Sequence, residues 1–200
     1  MVRAILDGRK TQTRRIVEPQ PDDFHTCWRE GKLDEDGDWV WWLGVYPSAS
    51  AKNKYGKPGG KLWVRETFQF VHANSDGQRN TFRCAAPFTQ NDYRWIEYAA
   101  TPKDNEPPPT WKPSIFMPRW ASRITLEITG VRVERLRDID ADSASAEGCG
   151  CGVNDETGPV ARYSKLWETI NGKGSWESNP WVWVVAFKQV FNADFREPAQ

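Results

Sequence analysis

The sequence predicts an α+β protein built around a small mixed β-barrel rather than a parallel doubly wound sheet. Three observations predict it. Segments with helical spacing are few and short. Segments with alternating or continuous apolar character are scattered along the whole chain. The stretches between them are rich in turn residues, with 15 Gly and 14 Pro in 200 residues. Neither a Walker loop nor a GxGxxG fingerprint is present, so phosphate cradling of the P-loop or Rossmann type is not expected.

Val2, Ile5 and Leu6 recur at i, i+3, i+4 and predict a short amphipathic helix over 1–7, with Gly8 just past its end. Residues 9–17 read as a strand that Pro19 and Pro21 stop. Within the irregular stretch 19–60, Trp39–Leu43 reads as a strand. Lys57-Pro-Gly-Gly60 is a turn signal before a strand over 61–70. Residues 71–113 are polar and Pro-rich, with short strands at 81–84 and 95–98. They lack the apolar residues for a core of their own and read as an insertion.

Further on, Ile124, Leu126 and Ile128 alternate, and Val131 and Val133 follow Gly130. This predicts a strand over 122–136 with a glycine bulge or a tight connection. Asp140 is a suitable N-cap for a helix over 141–147 closed by Gly148. Pro159, then Tyr163, Leu166, Trp167 and Ile170, predict a second helix ending at Asn171-Gly172. Residues 179–190 form a final strand with apolar residues on both faces. The expected organisation is one domain over 1–192, with insertions at about 19–58 and 71–113 and a tail at 193–200.

Lys plus Arg and Asp plus Glu number 27 each, so no global field draws the chain to nucleic acid or anionic membrane. The first 18 residues are locally basic: Arg3, Arg9, Lys10, Arg14 and Arg15 stand against Asp7 and Glu18. Twelve Trp offer both core mass and stacking surface. No apolar run reaches the roughly 20 residues of a membrane-spanning helix. Arg3, Asp7 and Arg9 interrupt any signal-peptide apolar region, so a cytoplasmic protein with no membrane partner is expected. Cys149 and Cys151 form C-x-C rather than the usual zinc spacing, and His25 and His72 are distant in sequence. Reduced structural thiols are expected there, and no metal or other cofactor.

Five segments carry a resemblance: ILDGRKTQTRR at 5–15, GKLWVRETF at 60–68, ITLEITGVRVERLRDI at 124–139, AEG at 146–148 and PWVWVVAF at 180–187. In this order they resemble the ASCH superfamily, in particular its long, tryptophan-rich members encoded in phages and prophages. The likeness covers the elements at both ends, about half of the chain. The G-x-K-T-x-x-x-R segment and the later W-V-R-E-T strand are specific as a pair and weak singly. The resemblance implies a PUA-like barrel and RNA or a modified nucleoside as partner. It also implies an initial strand before the counterpart of Met1.

In the small ASCH enzymes that hydrolyse the exocyclic amide of acetylated cytidine, the working set is a Lys, a Thr three residues on and a distant Glu. By resemblance these fall on Lys10, Thr13 and Glu147. The chemistry is coherent, since amide hydrolysis needs a nucleophile, a base for its proton and an acid for the leaving amine. Lys10 acts as a base only if desolvation or neighbouring cations, here Arg9, Arg14 and Arg15, depress its pKa. Residues i and i+3 of a strand face opposite ways, so Lys10 must lie in the turn before the strand. Arg9, Thr11, Arg14, Arg15, Trp63, Arg65 and Glu66 are candidate substrate-binding residues, with Glu66 expected to order Lys10 or a base edge. The basic cluster also reads as favourable charge at a helix end, Arg65 and Glu66 as a cross-strand pair, and Glu147 as a solvated helix end. Three functions stay open: an amidohydrolase of acylated nucleosides, a non-catalytic RNA-binding module, and a phage assembly or regulatory protein.

Overall fold

The structure is a computed structural model that describes residues 1–20, 32–33, 39–43, 46–73, 79–80, 95–102, 110–150 and 157–190. Along the chain run α1 (Val2–Leu6), β1 (Gln12–Ile16), β2 (Lys32–Leu33), β3 (Trp39–Leu43), β4 (Tyr46–Ala51), β5 (Lys61–Trp63), β6 (Phe68–Ala73), β7 (Arg79–Asn80), β8 (Trp95–Tyr98), β9 (Thr125–Arg135), α2 (Ala141–Ala146), α3 (Pro159–Asn171) and β10 (Trp181–Val190). The class is α+β: a curled antiparallel half-barrel sheet with a few short helices. Its contacts divide the chain into two compact units, essentially residues 3–62 with 127–188, and residues 63–126.

The first unit holds the sheet of order β1-β10-β9-β5. β1 runs antiparallel to β10, with Gln12 opposite Ala186 and Ile16 opposite Val182. The final strand packs on both sides, as its apolar sequence predicts: Val182, Trp183, Val184, Val185 and Phe187 are all buried. Val182 and Val184 join Leu136, Ile139, Ala144, Tyr163 and Trp167 in one core. Trp183 joins Val17, with Tyr55, Val131, Val133 and Trp181 around it. The helices α2 and α3 therefore cover one face of the sheet through a small residue, Ala144, and two large aromatic ones. A second small sheet, β2-β3-β4, is described for its backbone.

Local signals set the helix ends. Asp140 accepts a hydrogen bond from Ser143 N–H at 2.7 Å and caps α2. Those hydrogen bonds favour the Asp140 carboxylate and hold its pKa below the ordinary value. Pro159 opens α3 and Gly172 closes it. Gly8, at φ +70°, turns the chain out of α1.

In the second unit β6 pairs with β7 and β8. Its core comprises Phe68, Phe70, Tyr98, Met117 and Ala121, with Trp63, Ile96 and Trp120 against them. Among the described residues the stretch 71–113 supplies Ile96 and Tyr98 to that cluster, and the other members come from its flanks.

The strand expected over 61–70 is two strands, β5 and β6. Val64 N–H bonds Ile124 C=O at 3.0 Å, whereas Phe68 exchanges both backbone bonds with Lys112, at 3.2 and 2.9 Å. The chain changes partners between these points, and pairing cannot run through the change. The strand expected at 81–84 and the side chains of Trp39, Trp41 and Trp42 lie outside the described residues.

Leu136 is fully buried in the α2–α3–sheet core. Leu136→Ala is expected to cost about 2–5 kcal/mol in urea unfolding, through lost transfer energy plus the cavity left behind.

Candidate functional site

The site grows from the junction of β1 with the C-terminal end of α2. Lys10 N–H bonds Ala4 C=O and Thr11 N–H bonds Ala146 C=O, each at 2.8 Å. Gln12 Nε2 donates to Ser143 C=O at 2.7 Å. These bonds satisfy carbonyls that a helix end leaves open, and they lock the start of β1 against α2. Lys10 thus precedes β1 and forms an isolated bridge with Glu147. Gly148 adopts φ +90°, and a Cβ there would lie 3.1 Å from Ala4 Cβ and 3.4 Å from Lys10 Cβ. The tight contact is with Ala4; the Lys10 stem would lie at ordinary van der Waals distance.

Lys10 Nζ donates to Glu147 Oε2 at 2.6 Å and to Glu147 C=O at 2.9 Å. Arg14 Nη1 donates to the other carboxylate oxygen, Oε1, at 3.2 Å. Arg14 also bonds Glu134 Oε1 through Nε and Nη2, and its guanidinium carbon lies 5.8 Å from the Tyr163 ring centroid. Arg132 holds the second oxygen of Glu134 at 2.9 Å. Lys10, Arg14 and Glu147 are 5 %, 1 % and 2 % exposed, so this is an ion network removed from water. Burial lowers the pKa of Lys10 from its ordinary 10.5; attraction to Glu147 offsets part of the shift, and Arg15 adds to it. Burial raises Tyr163, with Glu147 adding to the effect. It also raises the Cys149 thiol.

A cleft of about 220 Å³ opens beside the network, lined by Arg14, Arg15, Glu147, Tyr163, Trp167 and Asn171 among others. Trp167 is buried, and its Nε1 has no hydrogen-bond partner among the described residues. The cleft is thus bounded by the aromatic residues Tyr163 and Trp167, by the buried Arg14–Glu147 pair and by the exposed Arg15.

The sequence candidates separate by face. Lys10 and Glu147 converge, and Arg14 joins them. Thr13 alternates with buried Gln12 and Arg14 along β1. Its hydroxyl accepts from Arg15 Nη1 at 2.8 Å, and no hydrogen bond joins it to Lys10 or Glu147 among the described residues. Thr11 is exposed, and Arg9 pairs with Asp7 at 2.7 Å in solvent. Of the three arginines expected to repel Lys10, Arg9 and Arg14 are matched by carboxylates and Arg15 acts on it.

Trp63, Arg65 and Glu66 belong to the second unit. Arg65 and Arg119 lie over the Trp63 ring, at 4.8 and 5.6 Å. Glu66 is buried, and Arg123 binds both of its oxygens, at 3.0 and 2.9 Å. Its carboxylate is satisfied within its own unit rather than by Lys10.

The sequence reading missed Glu134, Tyr163 and Trp167 as site residues. Glu134 follows the alternating VRV run, a detectable signal; Tyr163 and Trp167 carry only the pattern of core residues. Among the described residues no group of three His, Cys, Asp or Glu is placed to hold a metal ion, and no helix is long and apolar enough to cross a membrane. No protein-family model matches the chain, and neither the curated proteins nor the solved structures contain a significant match.

Two outcomes follow from this geometry. Gly148→Ala is expected to destabilise by about 1–2 kcal/mol from left-handed strain, before the crowding of Ala4 is added; urea unfolding of the variant measures it. The Lys10 shift predicts a pH signature. Between its lowered folded pKa and its ordinary 10.5 the unfolded chain binds more protons, so this group's contribution to stability rises with pH across that window. The stability difference of wild type minus Lys10→Met should move in favour of wild type as pH climbs toward 10.5. A flat difference would mean Lys10 is not shifted downward.

Proposed function

We propose that this chain is a PUA-like domain of the ASCH type, phage or prophage encoded, that binds a modified nucleoside, free or within RNA. One observation carries the reading: Glu147, held by Lys10 and Arg14, faces a cleft walled by Tyr163 and Trp167. Aromatic faces suit a base ring. A fixed carboxylate beside cationic donors suits the exocyclic amine and carbonyl of a base edge. The local positive charge of β1 in a neutral protein fits the same ligand class.

The Lys10–Glu147 contact favours hydrolysis of an acylated exocyclic amide as the reaction. In this reading Glu147 takes a proton from water, whose oxygen attacks the acyl carbon. The C–N bond breaks, and the proton passes to the leaving amine, yielding acetate and the free nucleoside. Lys10 and Arg14 are positioning residues that hold the carboxylate. Thr13 is not the nucleophile, because its hydroxyl faces Arg15.

Purified protein should release acetate from acetylated cytidine. Glu147→Gln should lower kcat by about 10²–10⁴-fold while cytidine binding survives. Thr13→Ala should keep its activity; its loss would return the nucleophile role to that hydroxyl. Cytidine binding without acetate release would leave a binding module, and absence of both would sink the proposal.

A further inference from the structure

A second cleft, of about 230 Å³, adjoins the first. It is lined by Arg15, Glu18, Lys52, Lys54, Tyr55 and Trp183, among others. Arg15, Ile16 and Asn171 line both clefts, so the two meet at β1, the first on the face that Tyr163 and Trp167 cover and the second on the face of Trp183 and Tyr55. Their chemistry differs. The first is mainly apolar, with Met1, Ile16, Leu166 and Ile170 beside Tyr163 and Trp167, around a buried carboxylate. The second presents three cationic side chains and one carboxylate over the buried Trp183.

The charges of the second cleft are poorly compensated. Lys54 meets Glu18 at 3.5 Å with both side chains largely in solvent, a contact worth little. Lys52 and Arg15 have no ion pair among the described residues. The two preceding arginines differ from Arg15. Arg14 is bound by two glutamates, and Arg9 by Asp7. Arg15 spends Nη1 on Thr13 Oγ1 and on Arg14 C=O, bonds that aim the guanidinium without neutralising it. An oriented, uncompensated guanidinium at the junction of an apolar cleft and a lysine-bearing one is a phosphate-recognition geometry.

We propose that the second cleft is a phosphate subsite and that the ligand is a nucleoside phosphate, its base in the first cleft and its phosphate against Arg15, Lys52 and Lys54. The part concerning the base rests on the function proposed above; the phosphate subsite stands on its own charges. A 5′-monophosphate and a phosphodiester in RNA present the same anion to these residues, and the experiment separates them.

The experiment is calorimetric titration of the full chain with cytidine, cytidine 5′-monophosphate, a short cytidine oligonucleotide and inorganic phosphate, repeated on the Lys52→Ala/Lys54→Ala double variant. The monophosphate is expected to bind about tenfold or more tighter than cytidine. In the double variant that advantage should vanish while cytidine affinity stays unchanged. An oligonucleotide tighter still than the monophosphate would assign the site to RNA; equal or weaker binding would assign it to the free nucleotide. Equal affinity for cytidine and its monophosphate in wild type, or an advantage that survives the double substitution, overturns the subsite and leaves base binding standing. If no cytidine compound binds, the base assignment falls, and inorganic phosphate decides the subsite. Binding lost in the double variant upholds it, and absent or unaltered binding removes it.

Discussion

The Glu147 carboxylate is out of water, and the first unit is arranged so that this is tolerable. An unpaired carboxylate in such a place would cost far more than the marginal stability of a domain. Two cations on the same face of one short segment, Lys10 and Arg14, each take one of its oxygens. That requirement constrains β1, which must bring both residues to the end of α2. It also bears on residue 148, where the left-handed backbone and the nearness of Ala4 favour glycine. Even the registration of β1 on β10 follows, since a slip of one residue would exchange Arg14 for Thr13 or Arg15.

Such a network is weak evidence for stability. Well-packed apolar side chains of similar volume commonly hold a fold as well as a buried ion pair does, or better. The core of Leu136, Tyr163, Trp167, Val182 and Val184 is already continuous beside it. The network is nonetheless retained, and three of its members, Arg14, Glu147 and Tyr163, line the wall of a cleft. Arg14 and Arg15 then divide the labour of the basic segment. One is consumed by carboxylates inside, and the other is left oriented and open.

Elements with strong local signals were legible before any coordinates. The Asp140 cap, the Pro159 start, Gly8, and the apolar run of β10 each act within a few residues. The pairing of Lys10 with Glu147 was reachable only through resemblance, because nothing local links positions so far apart. Three features were not legible. The break between β5 and β6 arises from a change of hydrogen-bonding partner, which alternation does not encode. The burial of Arg14 runs against its type and depends on Glu134 and Glu147 together. The roles of Tyr163 and Trp167 were hidden because a cleft-wall aromatic and a core aromatic share the same helical spacing. Thr13 illustrates the converse, a residue of the right type whose position in the pleat aims it elsewhere.

The distance in sequence between Lys10 and Glu147 has a temporal consequence. They lie 137 residues apart, and Arg14 lies 120 from Glu134. The strand that carries these cations gains its neighbour only when β10 exists. Throughout synthesis, therefore, the basic segment is a solvated cationic arm, free to meet any polyanion nearby. Lys10 and Arg14 leave its surface only when Glu134 and Glu147 are brought to them, a closure of long loops. The unfolded chain thus bears a charge pattern that the finished protein partly conceals: Lys10 and Arg14 are withdrawn, while Arg9 and Arg15 stay at the surface.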